Sequence, residues 1–297
     1  MMKLRVSSGT ANYLGLKKGR SKEDVSTAYL MIPGGVCRGG CTFCPQARGD
    51  PKWLSRVSWP EYDVGEFLNE LKESDLQRVC IQSPDIEGYE QMIIEAVDVL
   101  KTCGKPISVS APPLSEETLD EIIGPVTHLG VGIDAATDEL REKTKVNYPP
   151  LIFWDYLGMA LDKVGENNVI AHFIVGMGED LDRIAWSSYR AAKAGANISL
   201  FSYQSEERAP EIEYYRKSQL VTYLIQNGYP PYEAVYMVEN KDERVRSLIE
   251  DGEVFQTRGC PGCNRPYYTT RPGDEHRNFP RRLRPEEIDN IKSYLGY

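Results

Sequence analysis

The sequence predicts an α/β fold in which six βα units form an open barrel. Between about residues 26 and 228, strand-like apolar runs alternate with helix-like amphipathic runs, which indicates a parallel sheet. The strand-like runs are almost continuously apolar, as expected for strands that are buried on both faces. Six units are fewer than the eight of a closed barrel, so we expect a partial barrel.

Each unit pairs a strand rich in β-branched and aromatic residues with a segment whose apolar residues recur at helical spacing. The predicted strand and helix of successive units are 26–35 and 64–74, 78–84 and 89–104, 106–113 and 115–124, 128–135 and 152–165, 168–178 and 182–195, and 196–204 and 211–228. Ser115 is a good N-cap residue for its helix, and Gly104 and Gly124 end two of the helices.

Two segments lie outside the barrel pattern. We divide the chain into an N-terminal extension (1–25), the barrel (26–228) and an irregular C-terminal extension (229–297). The last of these contains a short predicted helix at 243–252, followed by a stretch rich in Gly, Pro and Arg with little periodicity. We expect this stretch to depend on a bound metal, on docking against the barrel, or on both.

Composition and charge narrow the class of protein. The 297 residues are 41% hydrophobic and 27% charged, and the net charge of −9 argues against general nucleic-acid or membrane-surface binding. The first residues lack the apolar run of a secretory signal, and no stretch approaches the roughly 18 apolar residues of a membrane helix. We therefore expect a soluble, cytoplasmic protein, in which clustered cysteines serve as metal ligands or catalysts rather than as disulfides.

The segment GGVCRGGCTFCPQ (34–46) follows the first predicted strand, at the edge of the barrel where chemistry usually occurs. Cys37, Cys41 and Cys44 are spaced poorly for zinc, which wants four ligands. Three thiolates instead suit a four-iron cluster with one iron left open. The four glycines of the segment let the backbone curve around such a cluster.

The stretch CRGGCTFC resembles the cysteine signature of radical SAM enzymes. The resemblance implies that Cys37, Cys41 and Cys44 hold a [4Fe–4S] cluster whose free iron binds S-adenosylmethionine (SAM). It also implies cleavage of SAM to a 5′-deoxyadenosyl radical that abstracts hydrogen from an unactivated carbon. Phe43 stands at the position that contacts the adenine. The fold of that family is a partial, TIM-like (β/α)6 barrel, in agreement with the six predicted units.

The same resemblance implies further SAM contacts. Gln82 opens the stretch QSPD, which stands where relatives carry a GGE-like motif and which lacks its glycines. Asp134 stands where relatives grip the ribose hydroxyls, although it is also placed to cap a helix. Ser108 and Ser110 share one strand face, which faces either SAM or away from it. Gly176 lies in the fifth-strand motif, where backbone approaches the adenine.

A second group of cysteines is expected to hold an auxiliary cluster. Cys260 and Cys263 form a CxxC pair in the C-terminal extension. Cys80 shares a strand face with Gln82 and is therefore predicted to point into the barrel. In biotin synthase, a radical SAM enzyme that inserts sulfur, an auxiliary-cluster cysteine stands at the corresponding place. The expected ligands of a second cluster, most simply [4Fe–4S], are thus Cys80, Cys260 and Cys263. The alternatives are a buried, unliganded Cys80 and two CxxC knuckles around one zinc ion.

The tail CPGCNRPYYTTRPGDEHRNFPRRL resembles the C-terminal stretch of the split, two-protein lipoyl synthases of the archaeal type. That resemblance implies a sulfurtransferase that inserts sulfur at C6 or C8 of a protein-bound octanoyl chain, with the auxiliary cluster as sulfur donor. The implied partners are an octanoylated lipoyl carrier protein or peptide, a second lipoyl synthase subunit and an electron donor such as ferredoxin. No cysteine precedes Cys37, whereas single-chain lipoyl synthases carry an N-terminal three-cysteine motif, so the split type is favoured.

Arginines are frequent in the same tail. Those near the second cysteine pair are expected to stabilise a thiolate cluster: Arg258, Arg265 and Arg271. Those farther along form either a solvated face or a docking patch for an acidic carrier domain: Arg277, Arg281, Arg282 and Arg284. His172 is predicted to be a satisfied core residue.

Two other functions remain open at this stage. One keeps the radical chemistry on another substrate, as in a biotin-synthase-like or methylthio-transferring enzyme. The other is a zinc-binding interaction module without catalysis. Iron and sulfide analysis distinguishes the zinc-binding module from a radical SAM enzyme.

Overall fold

The computed structural model describes residues 2–19, 23–50, 52–54, 57–203, 209–270 and 273–297. In chain order its strands are β1 (Lys3–Val6), β2 (Thr27–Met31), β3 (Trp53–Leu54), β4 (Val57–Ser58), β5 (Glu61–Asp63), β6 (Arg78–Gln82), β7 (Ile107–Ser110), β8 (Val126–Asp134), β9 (Val169–Val175) and β10 (Asn197–Ser202).

The α-helices in chain order are α1 (Ser8–Tyr13), α2 (Leu68–Glu73), α3 (Tyr89–Leu100), α4 (Glu116–Ile122), α5 (Asp138–Thr144), α6 (Ile152–Val164), α7 (Leu181–Lys193), α8 (Ile212–Gln226), α9 (Pro231–Glu239), α10 (Glu243–Asp251) and α11 (Pro285–Leu295). Ser115 caps α4 as predicted, because its side chain accepts a hydrogen bond from the backbone amide of Thr118. Within the described ranges, no helix is both long and apolar enough to cross a membrane.

One eight-stranded sheet organises the molecule, in the order β10-β9-β8-β7-β6-β2-β1-β5. The pairs from β2 to β10 in this order are all parallel, so the six predicted strands lie side by side. The two outermost strands, β10 and β5, are not paired with each other. The predicted open barrel of six βα units is therefore confirmed.

The N-terminal extension contributes to this sheet, which the sequence pattern did not reveal. Strand β1 pairs antiparallel with both β2 and β5 and lengthens the sheet beyond the six parallel strands. Leu4 and Val6 of β1 are fully buried in the main core. A strand of only four residues is too short for its alternation of apolar and charged residues to be recognised from the sequence alone.

The described residues form two apolar cores. The larger lies around the parallel strands, while the smaller lies on the outer side of α7 and α8, where α9, α10 and α11 pack. Helix α10 was predicted, but α9 and α11 were not, because their segments begin with Pro or Arg–Pro and look irregular. The C-terminal extension and the barrel helices α7 and α8 therefore share this smaller core.

Candidate functional site

The first cysteine group lies in the loop after β2, at the carboxyl ends of the parallel strands. Cys37 Sγ accepts a hydrogen bond from the backbone amide of Asp85 over 3.3 Å. Cys41 forms an isolated β-bridge with Lys145, and Cys44 precedes a short 3₁₀ helix. The loop is thus held between the segment that follows β6 and the segment that follows α5.

Close contacts and backbone conformation explain two glycines of this loop, Gly39 and Gly40. Arg38 donates to Asp85 over 2.6 Å, and the Tyr148 hydroxyl donates to the same carboxylate over 2.9 Å. A Cβ on Gly39 would lie only 2.8 Å from the Tyr148 hydroxyl oxygen. Gly40 has a φ of 63°, which also favours glycine. Asp85, the last residue of QSPD, therefore fixes the loop rather than reproducing a glycine-rich motif.

The three thiols fit a cluster site chemically. Burial raises the pKa of the Cys41 thiol to about 12, although the Lys145 ammonium acts in the opposite direction. Burial also raises the pKa of Cys44. Hydrogen bonds from backbone amides of the following turn lower this pKa and so partly offset the effect of burial. Such thiols are protonated without metal, so cluster binding must release protons.

A single cavity runs from this loop into the barrel. It contains most of the predicted site residues: Phe43, Cys44, Cys80, Gln82, Ser108, Ser110, Asp134, Cys260 and Cys263. Apolar side chains make up much of the remaining wall: Leu54, Val109, Ile174, Phe201 and Tyr268. Cys37, Cys41 and Gly176 are not part of the wall. Among the described residues, no three His, Cys, Asp or Glu side chains converge on the position of one metal ion.

Asp134 is paired with a lysine that the sequence did not single out. Lys145 Nζ lies 2.9 Å from Asp134 Oδ2 and only 4% of the lysine side chain is exposed. The ammonium also donates to the Gly132 carbonyl over 2.6 Å and lies 3.2 Å from the centre of the Phe153 ring. Thr137, not Asp134, caps the helix that follows. Nothing in the local sequence distinguishes Lys145 from its neighbouring lysine.

Two residues predicted to contact SAM, Gln82 and Ser108, lie beside the second cysteine group. Gln82 Nε2 donates to the Tyr268 hydroxyl over 2.7 Å. Ser108 Oγ accepts from the Arg78 guanidinium over 2.9 Å, and this serine lies beside Cys260. Ser110, two residues farther along β7, lies opposite Gly130 in the neighbouring strand and nearer the carboxyl end.

Gly176 begins a tight turn at the carboxyl end of β9. Its φ is 103°, and a Cβ there would lie 2.8 Å from Pro210. The carboxylate of Glu179 accepts from three consecutive backbone amides, at 2.5 Å from Gly176, 2.9 Å from Met177 and 3.1 Å from Gly178. The turn is therefore built by Glu179. This residue is the last of the stretch GMGE but was not among the predicted site residues.

The three cysteines of the second group line one cavity inside the barrel. Cys80 lies in the middle of β6 and, as predicted, points into the interior, where Cys260 and Cys263 of the C-terminal extension line the same cavity. Burial raises the pKa of the Cys80 thiol, and the neighbouring Cys263 and Cys260 act in the same direction. Burial raises the pKa of Cys260 as well.

The segment that carries this cysteine pair crosses the amino ends of the strands. The Gly262 carbonyl accepts from Ser26 Oγ over 2.6 Å and from Thr27 Oγ1 over 3.0 Å. Arg78 Nε donates to the Pro261 carbonyl over 3.1 Å. The C-terminal extension therefore closes the end of the barrel opposite the first cysteine group.

Two buried cations flank the second group. Arg78 is 4% exposed and Arg265 is 8% exposed. Arg265 stacks on Phe201 with 4.3 Å between the guanidinium carbon and the ring centre. Within the described ranges, neither guanidinium has a carboxylate within 4.0 Å. Since buried charges require a counter-charge, this arrangement fits an anionic group held by the three thiolates.

The other tail arginines are used differently. Arg281 pairs with Glu287 at 2.9 Å and with Glu23 at 3.6 Å, while Arg284 pairs with Glu287 at 2.7 Å. These two members of the hypothetical docking patch are therefore engaged within the chain. Arg271 lies outside the described residues.

His172 faces the cavity rather than the core. It lies on β9, among the residues that line the cavity, and packs against Phe201 with 5.2 Å between ring centres. Burial lowers the pKa of His172 to about 3, and Arg265 and Lys145 act in the same direction. The imidazole is therefore neutral and available to a bound molecule as both hydrogen-bond donor and acceptor.

Comparison with protein families gives one match. Residues 31–190 match the family model described as the Radical SAM superfamily. This range covers more than half of the 297 residues and contains the first cysteine group together with Cys80. No curated protein matches the chain.

Solved structures with the same fold include two enzymes. Methylornithine synthase (PylB) is 15% identical with a TM-score of 0.55, over 74% of this chain and 65% of that one. The FeFe-hydrogenase maturase HydG from Carboxydothermus hydrogenoformans is 14% identical with a TM-score of 0.51, over 69% of this chain and 52% of that one. The chain thus covers less than two thirds of either protein, and the likeness concerns the fold.

Proposed function

The chain belongs to the Radical SAM superfamily, and we propose that it is a sulfur-inserting member, one component of a split lipoyl synthase. The family implies a [4Fe–4S] cluster and SAM, which together supply, when bound, a carbon-centred radical that removes hydrogen from an unreactive C–H bond. Cys37, Cys41 and Cys44 would hold this cluster. The proposed substrate is an octanoyl chain attached to a carrier protein or peptide.

The observation that carries the proposal is that Cys80, Cys260 and Cys263 all line one cavity inside the barrel. These thiols would hold an auxiliary cluster, and the buried cations Arg78 and Arg265 would balance its negative charge. The tail around the cysteine pair is also the part of the sequence that resembles split lipoyl synthases.

The cavity between the two cysteine groups suits a fatty acyl chain. Its apolar side chains, which include Leu54, Ile174 and Phe201, exclude water and favour an alkyl chain. Phe43 and Asp134 lie on the same wall and would orient SAM by its adenine and ribose. Lys145 holds the Asp134 carboxylate in place. A second subunit, an octanoylated carrier and an electron donor such as ferredoxin complete the proposed system.

Variants of the second cysteine group test this proposal. Anaerobically reconstituted protein should contain about eight irons per chain and should add sulfur to an octanoyl-lysine peptide when a partner subunit is present. Cys80→Ala and Cys263→Ala should retain SAM cleavage to 5′-deoxyadenosine but yield no sulfur-containing product. Cys103→Ala is the matched control, because Cys103 is buried at the end of α3, away from the cavity.

Two results would contradict the proposal. One is about four irons per chain in well-reconstituted protein, which would indicate a single cluster. The other is unchanged sulfur insertion in Cys80→Ala and Cys263→Ala. Product analysis by mass spectrometry, with 5′-deoxyadenosine measured in the same samples, separates loss of sulfur insertion from loss of radical formation.

A further inference from the structure

A second pocket lies under the barrel, at the amino ends of the parallel strands. Ser26, Gln77 and Asn197 line it, and each lies at or just before the start of a strand. Cys260 and Cys263 line this pocket and also the cavity inside the barrel. Cys80, by contrast, lines only the inner cavity. The cysteine pair is therefore accessible from two opposite sides.

The lower pocket is polar and contains groups that lack partners. Arg258 lines it and stacks on Tyr223 with 4.8 Å between the guanidinium carbon and the ring centre, and no carboxylate in the described part of the chain lies within 4.0 Å of its guanidinium. Gln226 Oε1 is buried in the same wall without a hydrogen-bond donor from any described residue. Glu253 also lines the pocket.

We propose that this lower pocket is an entry port through which hydrosulfide reaches Cys260 and Cys263, where it needs to lose only its proton to serve as cluster sulfide. Hydrosulfide matches the unpartnered groups, because it accepts hydrogen bonds from a guanidinium and donates its S–H to an amide oxygen. The inference rests on the proposed function, since a cluster that is consumed as a sulfur donor needs resupply. The port allows resupply without passage through the cavity that holds SAM and substrate.

Blocking the pocket tests the port directly. Gln77 is exposed and its side chain lies over Gly262, so Gln77→Trp should fill the entrance. In full-length protein prepared without clusters, this change closes one of the two routes to Cys260 and Cys263 and should slow their iodoacetamide alkylation about twofold, measured by mass spectrometry. Alkylation of Cys80 should not change. Asp75→Trp is the matched control, because Asp75 is an exposed residue of the same loop outside the pocket.

Changing the charge of the rim tests the preference for anions. Arg258→Gln should lower the ratio of iodoacetate to iodoacetamide rates at Cys260 and Cys263 about twofold, the effect of one charge acting across a solvated distance. The ratio at Cys37 should stay the same. Unchanged rates in Gln77→Trp, or an equal slowing at Cys80, would overturn the port, and an unchanged ratio in Arg258→Gln would overturn the assignment to an anion.

These alkylation measurements do not depend on catalysis, so failure of the entry-port proposal can be distinguished from failure of the sulfur-insertion proposal. If octanoyl peptide gains no sulfur but the alkylation pattern holds, the lower pocket stands as an anion port and the sulfur-insertion proposal is wrong. If sulfur insertion is observed but Gln77→Trp has no effect on Cys260 and Cys263, the port is wrong and the proposed function stands.

Discussion

At the scale of single residues, Glu179 shows how one buried carboxylate shapes the site. It is 7% exposed and accepts from the amides of the turn that follows β9. The Tyr214 hydroxyl donates to its backbone carbonyl over 2.9 Å and so links the turn to α8. Three donors would be left without an acceptor if this carboxylate were removed, and unpaired buried donors are costly.

We expect Glu179→Ala to lower the free energy of unfolding by roughly 3 kcal/mol, because several backbone amides lose a charged acceptor. Tyr214→Phe removes one hydroxyl, which donates to the Glu179 carbonyl over 2.9 Å and to Glu179 Oε1 over 3.3 Å, and should cost only about 1 kcal/mol. Urea unfolding of the full chain measures both values. A loss in Glu179→Ala no larger than that in Tyr214→Phe would show that water replaces the carboxylate.

At the scale of secondary-structure elements, charge clusters attach the tail to the barrel. Arg216 of α8 is fully buried and donates to the backbone carbonyls of His276 and Arg277, each over 2.6 Å. At the start of α11, Glu287 accepts from Arg281 and Arg284. The hypothetical docking patch therefore has a structural use for at least two of its arginines.

The Glu287 cluster predicts a pH-dependent stability. Burial opposes ionisation, but the hydrogen bonds from Arg281 and Arg284 outweigh it and lower the pKa of Glu287 to about 2. A carboxylate whose pKa is lowered on folding stabilises the protein above its ordinary pKa, and this stabilisation is lost as the pH falls toward about 2. Glu287→Gln should cost about 1 kcal/mol at pH 7, and the difference from the unmodified chain should shrink steadily below about pH 5.

Urea unfolding at several pH values between 7 and 3 measures this difference. Glu286→Gln is the matched control, because Glu286 is a more exposed neighbour on the same helix turn. A constant difference between Glu287→Gln and the unmodified chain across this range would contradict the assigned ionic role.

At the scale of the whole molecule, the sequence predicts those features that a local pattern of residues determines, namely the strands, the helices and the closely spaced cysteines. The six parallel strands follow from alternating apolar and amphipathic runs, and the first cysteine group lies within eight residues. Contacts between distant segments are not encoded in such patterns. Arg78 and Pro261, for example, are in contact although they are 183 residues apart in the sequence. Lys145, which follows α5, pairs with Asp134 at the end of β8 because the chain reverses direction between these two residues.

The same limit applies to how the barrel is closed. Strand alternation and the resemblance to biotin synthase predicted that Cys80 would join the distant pair Cys260 and Cys263. They did not predict that the pair would approach from the amino ends of the strands. This placement sets two cysteine groups at opposite ends of one interior, so the position of the tail controls the distance between them.

Tyr29 of β2 is the residue that should couple the tail most directly to the barrel. It is 1% exposed, and its hydroxyl oxygen accepts from the backbone amides of Arg265 over 2.7 Å and Asn264 over 3.2 Å. Tyr29→Phe keeps the ring packing but leaves both amides without this acceptor. The cost of about 1.4 kcal/mol should appear as about tenfold faster hydrogen exchange in residues 257–265.

Hydrogen–deuterium exchange with mass spectrometry measures this effect in the full chain. Exchange in α8 should stay unchanged, because its hydrogen bonds do not involve Tyr29. Equal acceleration in 257–265 and in α8 would mean global destabilisation rather than release of the tail. No acceleration in 257–265 would mean that the contacts of Gly262 with Ser26 and Thr27 hold the tail by themselves, and that the tyrosine is not the coupling residue.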